Sequence, residues 1–129
     1  MTENADGAPP VVESAIRWAL EKQALDPVLM DVRGLCSYTD YLLVLGGRSS
    51  RQVRAVAEAI LRGMRKDGYK PYGQEGLDEA RWVLLDFGDV VIHTFHEDLR
   101  DFYDLEGLWA EAPRRQLRAA SARAEGAAP

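Results

Sequence analysis

Residues 81–95 constrain the fold more than any other part of the chain: Arg81-Trp82-Val83-Leu84-Leu85-Asp86-Phe87-Gly88-Asp89-Val90-Val91-Ile92-His93-Thr94-Phe95. Two apolar runs, 81–87 and 90–95, flank Gly88-Asp89, which is the pattern of a β-hairpin closed by a tight turn. Alternation along the first run puts Trp82, Leu84 and Asp86 on one side of it. Upstream, Tyr41-Leu42-Leu43-Val44-Leu45 is apolar at every position. Such a run indicates a strand covered on both faces, near the centre of a sheet.

Helical spacing appears on either side of that strand. After Pro9-Pro10, which suits a first turn, Val12, Ile16, Ala19 and Leu20 recur at helical intervals, and Asp26-Pro27 is expected to stop the helix. Residues 28–33 alternate as a half-exposed strand would. Gly46-Gly47-Arg48-Ser49-Ser50 ends the apolar strand and caps a second helix. There Val53, Val56, Ala57, Ile60, Leu61 and Met64 form a stripe opposite Arg51, Arg54, Glu58, Arg62 and Arg65. Gly68 suits the left-handed position past its end. Lys70-Pro71-Tyr72 can be only a short or edge strand, because proline has no N–H to give. Residues 97–104 read as a short polar helix and 105–110 as one further turn.

The predicted order, α-β-β-α-β-β-β-α, describes one α/β domain with a mixed sheet of about five strands and flanking helices. A chain of 129 residues, 47% apolar, has room for one core. That core is expected within residues 10–111, between a flexible N-terminus at 1–9 and a flexible Ala/Arg-rich tail at 112–129. A single cysteine, Cys36, cannot close an internal disulfide and fits a reducing, cytoplasmic setting. No apolar run approaches the roughly 20 residues that span a bilayer. The acidic start lacks the order of a signal peptide.

Charge narrows the partners. The net charge is −5; residues 113–129 hold four arginines against Glu125, a local +3, which leaves −8 on residues 1–112. An acidic body repels phosphate and favours a basic protein. Arginines spaced by alanine, without aromatic or lysine support, make a poor nucleic-acid arm.

Candidate chemistry is incomplete throughout. The Gly46–Ser50 junction has the glycines and helix start that can hold a phosphate, and nucleotidyltransferases use a Gly-Ser pair in such a place. Those enzymes also need clustered carboxylates for magnesium, and no Asp-x-Asp or Asp-x-Glu pair follows on a strand; capping by Ser49 or Ser50 explains the serines. Asp86 and Asp89 bracket the hairpin turn, as turn chemistry asks. His93 and His96 fall on opposite faces of an extended strand and do not form a zinc pair. His93 reads as a hydrogen-bonded histidine. Trp82 and Trp109 fit a core or a binding hot spot.

In series, Asp31, Ser37 to Tyr41, Gly47-Arg48-Ser49-Ser50-Arg51-Gln52-Val53, Glu75-Gly76, residues 82–93, Arg100, Tyr103 and Leu105-Glu106-Gly107-Leu108-Trp109 resemble the ribosomal silencing factor (Iojap-like) family. The resemblance implies a nucleotidyltransferase-like fold without the catalytic site, no enzyme activity and no cofactor. It implies binding to the large ribosomal subunit through ribosomal protein L-fourteen, blocking small-subunit joining when nutrients are scarce, and in some relatives a homodimer. On that reading Trp82, Leu84, Asp86 and Asp89 offer the hairpin face to the partner, and Tyr103, Leu105, Leu108 and Trp109 brace or extend it. Membranes and sequence-specific nucleic acid are not expected partners. A nucleotidyltransferase-like nucleotide- or phosphate-binding enzyme using the Gly47–Ser50 junction, and a general adaptor whose hairpin edge pairs with a partner strand, are the other classes the residues allow.

Overall fold

A computed structural model describes residues 8–117. The chain forms helix α1 (Pro10–Glu21), strands β1 (Leu25–Asp31) and β2 (Tyr41–Gly47), and helix α2 (Ser50–Lys66). Strands β3 (Gly73–Glu75), β4 (Trp82–Asp86) and β5 (Val90–His96) follow, then short helices α3 (Glu97–Tyr103) and α4 (Leu105–Leu108) and strand β6 (Arg114–Gln116). Among the described residues these make one mixed six-stranded sheet in the order β3-β4-β5-β2-β1-β6. Only β2 and β5 run parallel; the other neighbours are antiparallel.

Burial follows strand alternation. β2 is buried along its whole length and β5 as far as Phe95. Leu43, Leu45, Val83, Leu85 and Ile92 point to one face, where Val53, Val56, Ile60 and Met64 of α2 and Val12, Ala15 and Ala19 of α1 meet them. Leu42, Val44, Val91 and Phe95 point to the other, with Val28 and Met30, beneath Leu99, Leu105 and Trp109. Each such large side chain contributes about 1.5–3 kcal/mol by leaving water.

The start of α2 is fixed by Ser49, whose hydroxyl accepts from Gln52 N at 3.1 Å, while Gln52 Oε1 accepts from Arg48 N at 2.7 Å. This is close to a capping box. Past its other end, Asp67 accepts from Ser14 Oγ, from Trp18 Nε1 at 2.8 Å and from Arg17 Nη2 at 2.6 Å. Those donors, Ser14 first, hold the Asp67 carboxyl below the usual carboxylate range. The joint is tight where the helices cross: the Trp18 ring lies over Gly63.

Several expectations change. β1 spans Leu25–Asp31 and is buried on both faces at its middle, not half-exposed, because the 99–112 segment covers its second face. Pro27 lies inside that strand. It is accommodated at an irregularity between Leu25 and Val28, beside Asp26 with φ 43°. α1 therefore ends at Glu21, before Asp26-Pro27. The edge strand begins at Gly73, and Tyr72 only donates its N–H to Asp86 O at 2.7 Å. Arg114–Gln116, expected within a flexible tail, pairs with β1 and makes six strands rather than about five. Arg-Arg-Gln has no apolar alternation, so nothing local marks it as a strand. Ala8, expected to fray, is fully buried; residues 1–7 and 118–129 lie outside the described residues.

A Cβ on Gly63 would sit 2.0 Å from the Trp18 ring. Gly→Ala inside a helix ordinarily stabilises by about 1 kcal/mol; here overpacking reverses the sign. Gly63→Ala is expected to destabilise by about 1–3 kcal/mol, read from urea unfolding midpoints.

Candidate functional site

The second sheet face carries an aromatic shelf. Trp82 on β4 stands opposite Phe95 on β5, with ring centroids 4.8 Å apart and planes at 29°. Tyr103, at the end of α3, brings its ring to 4.8 Å from Trp82, and Phe102 meets Tyr103 edge-on at 5.0 Å. Trp82 is half-buried, Tyr103 is 48% exposed and Phe102 77% exposed. The Trp82 indole N–H donates to His93 Nδ1 at 3.0 Å. That bond places the proton of neutral His93 on Nε2, which is buried without a hydrogen-bond partner.

Beside the shelf opens a groove of about 600 Å³ lined by Glu75, Asp78, Glu79, Trp82, Leu99 and Tyr103, with Arg81 among them. Its acidic wall is the loop between β3 and β4. Gly76 there has φ 86°, and a Cβ would come within 2.0 Å of the Trp82 carbonyl oxygen, so glycine is required. Arg54 of α2 reaches over to donate to the carbonyls of Leu77, at 3.3 Å, and Asp78. The groove is thus an apolar floor with carboxylates on one side, suited to a basic group carried on a protein surface.

Two arginines anchor the helices that form the shelf. Arg100, buried, donates to Leu25 O at 3.0 Å, Asp26 O at 2.7 Å and Glu106 Oε2 at 2.8 Å. Arg114 of β6 donates to Glu106 O at 2.9 Å and Trp109 O at 2.8 Å. Between α3 and α4, Asp104 takes a left-handed conformation and accepts from Gly107 N at 3.0 Å.

The structure brings together Trp82, Leu84, Leu105 and Trp109 on one apolar cluster, with Tyr103 against Trp82. Leu108, 70% exposed, lies apart from the shelf and shares a groove of about 380 Å³ with Leu35 and Trp109. Asp86 shares the Trp82 face but stands about 13 Å along the strand, where its carboxylate accepts from Gly88 N at 2.8 Å. Asp89 is exposed at the turn. Leu99, Phe102, Asp78 and Glu79 were not singled out in the sequence. Phe102-Tyr103 on a helix too polar to be buried was the available signal.

A family model described as "Ribosomal silencing factor during starvation" matches residues 5–129. The chain belongs to the ribosomal silencing factor family. It is 44% identical over 97 residues to the ribosomal silencing factor RsfS of Bacillus subtilis (strain 168), covering 75% of this chain and 82% of that protein. It is 34% identical over 107 residues to the chloroplastic protein Iojap of Zea mays, covering 81% and 45%. A crystal structure from Bacillus halodurans superposes with a TM-score of 0.73 at 36% identity, covering 83% of this chain and 97% of that one. The family's name, ribosomal silencing factor, is that of a regulator of translation.

The junction that looked enzyme-like in the sequence does structural work in this member of the family. Ser49 is spent on the cap. Gly47 allows close approach of α2, since a Cβ there would stand 2.8 Å from Val53 Cγ2. Among the described residues no three His, Cys, Asp or Glu side chains are grouped as metal ligands.

Burial pushes the His93 imidazole down from 6.5 to about 4. The unfolded chain therefore binds this proton first, and stability is present above pH 6.5 and lost as pH falls from there through about 4. The full effect is on the order of 3 kcal/mol. Urea midpoints across that window are expected to slope in this chain and to flatten in His93→Gln, leaving carboxylate titration at lower pH.

Proposed function

We propose that the chain binds the large ribosomal subunit through ribosomal protein L-fourteen, at the face where the small subunit docks, and represses translation under nutrient limitation by blocking subunit joining. The observation that carries the reading is the half-exposed Trp82–Tyr103 shelf beside an acidic groove, in a member of the ribosomal silencing factor family. A basic ribosomal protein complements that surface. Blocking is steric: occupancy of the face is enough, and no bond is made or broken. The reading assigns no catalysis and no cofactor.

Trp82 is the central anchor, with Leu84 and Tyr103 beside it. Leu105 and Trp109 brace the shelf from beneath, and Leu108 extends the contact toward Leu35. Asp86 and Asp89 bear on the partner at the margin, through charge more than packing. On this reading the chain acts in the cytoplasm. Among the described residues no helix is long and apolar enough to cross a membrane. Self-association through the same shelf would compete with ribosome binding.

Sedimentation tests the reading. Purified protein is mixed with separated large subunits, spun, and then challenged with small subunits. Co-sedimentation with large subunits alone and a reduced yield of joined ribosomes are expected. Association with neither subunit would refute the proposal. Trp82→Ala is expected to weaken large-subunit binding by about 2 kcal/mol or more, roughly thirtyfold. Asp89→Asn, at an exposed margin, is expected to change affinity by less than about 1 kcal/mol. Unchanged affinity in Trp82→Ala would remove the shelf from the interface.

A further inference from the structure

The net charge of −5 hides a separation across the sheet. Residues 75–111, which include the acidic groove wall, α3 and α4, carry eleven acidic side chains against Arg81 and Arg100. α2 carries Arg51, Arg54, Arg62, Arg65 and Lys66 against Glu58. It packs on the face opposite the Trp82 shelf, and its outward side is an exposed row of Arg51, Ala55, Glu58, Arg62, Arg65 and Lys66, preceded by exposed Arg48. From 51 to 66 the row is about 22 Å long.

These cations have no internal purpose that the structure displays. Arg17, Arg33, Arg54, Arg100 and Arg114 are all engaged by carboxylates or carbonyls. Among the described residues the side chains of Arg48, Arg51, Arg62, Arg65 and Lys66 take no hydrogen bond or ion pair. Arg65 and Lys66 suit the negative end of the helix dipole. Arg48 and Arg51 do not: they crowd the positive end, where the first turn holds no acidic residue. A helix surface built for solubility interleaves both signs at i and i+4. This row offers one acid.

We propose that this outward row of α2 binds the phosphate backbone of structured RNA. Four of the five free cations are arginines, whose planar forks pair two oxygens of a phosphate at once. The row presents no exposed aromatic or large apolar side chain. It therefore lacks the anchors of a protein interface and the stacking platforms of a single-strand binder. What remains is a duplex backbone, bound by charge and without base reading. The choice of RNA over other polyanions rests on the ribosomal reading. A chain so arranged can set its acidic shelf on a basic protein while its opposite face meets RNA.

The probe is a fluorescently labelled RNA duplex of about 20 base pairs, titrated with the full chain from about 25 to 200 mM KCl. Binding is expected to weaken along a log–log slope of about −4, near 0.9 for each phosphate neutralised. Arg48→Gln/Arg51→Gln and Arg62→Gln/Arg65→Gln are each expected to weaken binding more than tenfold and to flatten the slope by about 2. The first pair should leave the melting temperature unchanged or raised, which a merely structural role would not. Trp82→Ala should bind the duplex normally. No duplex binding at the lowest salt, or a slope that both double variants leave unchanged, would overturn the proposal. So would equally tight binding of polyglutamate, which would favour an acidic protein surface. Duplex binding by a chain that ignores large subunits would keep this inference and sink the ribosomal one.

Discussion

The parallel pairing of β2 with β5 is the constraint on which the rest depends. Both strands are buried on both faces, so each face of the sheet needs its own cover. The chain leaves the end of β2 toward one face, as α2, and the end of β5 toward the other, as α3. In open α/β sheets such a switch point usually opens a ligand crevice. Here the Arg100 side chain crosses that end, beside a groove of about 300 Å³ lined by Gly46, Glu97 and Glu106. Gly47 lets Val53 close in, and Gly46 lets the Arg100 guanidinium come to where a Cβ would stand 3.3 Å away. Arg100 then holds β1 and Glu106 together across that end.

Unequal cover on the two faces leaves the Trp82–Tyr103 shelf open to solvent. α1 and α2, of 12 and 17 residues, seal the first face. α3 and α4, of 7 and 4 residues, are too short to do the same on the second. Trp82 and Tyr103 are consequently half-covered and keep apolar area toward solvent. His93 below Trp82 fixes the angle of the indole, and burial keeps that histidine neutral near neutral pH. Removing water from such a rigid, partly exposed aromatic pair costs little conformational entropy, which is what a binding surface needs.

Charge follows the same division. Acidic side chains collect where the cover is thin, and unpaired arginines collect on the outward side of the long helix. Net charge describes neither face. An acidic whole therefore does not exclude a surface that attracts phosphate, contrary to what composition implies.

The sequence by itself determined the hairpin, the doubly buried β2, the serine-capped α2, the turn role of Asp86 and the family. Each is written in local chemistry: period-two alternation, a continuous apolar run, a hydroxyl three residues before an amide, an ordered series of motifs. Tertiary structure decided the rest. β1 looked half-exposed because its cover comes from residues about 70 or more positions later, and β6 was invisible because its three residues gain strand geometry only from β1. The meeting of Tyr103 with Trp82, and the grip of Arg100 on carbonyls 74 and 75 residues away, belong to pairs of distant residues. Local periodicity reports which way a side chain faces; only the packed chain decides what, if anything, covers it.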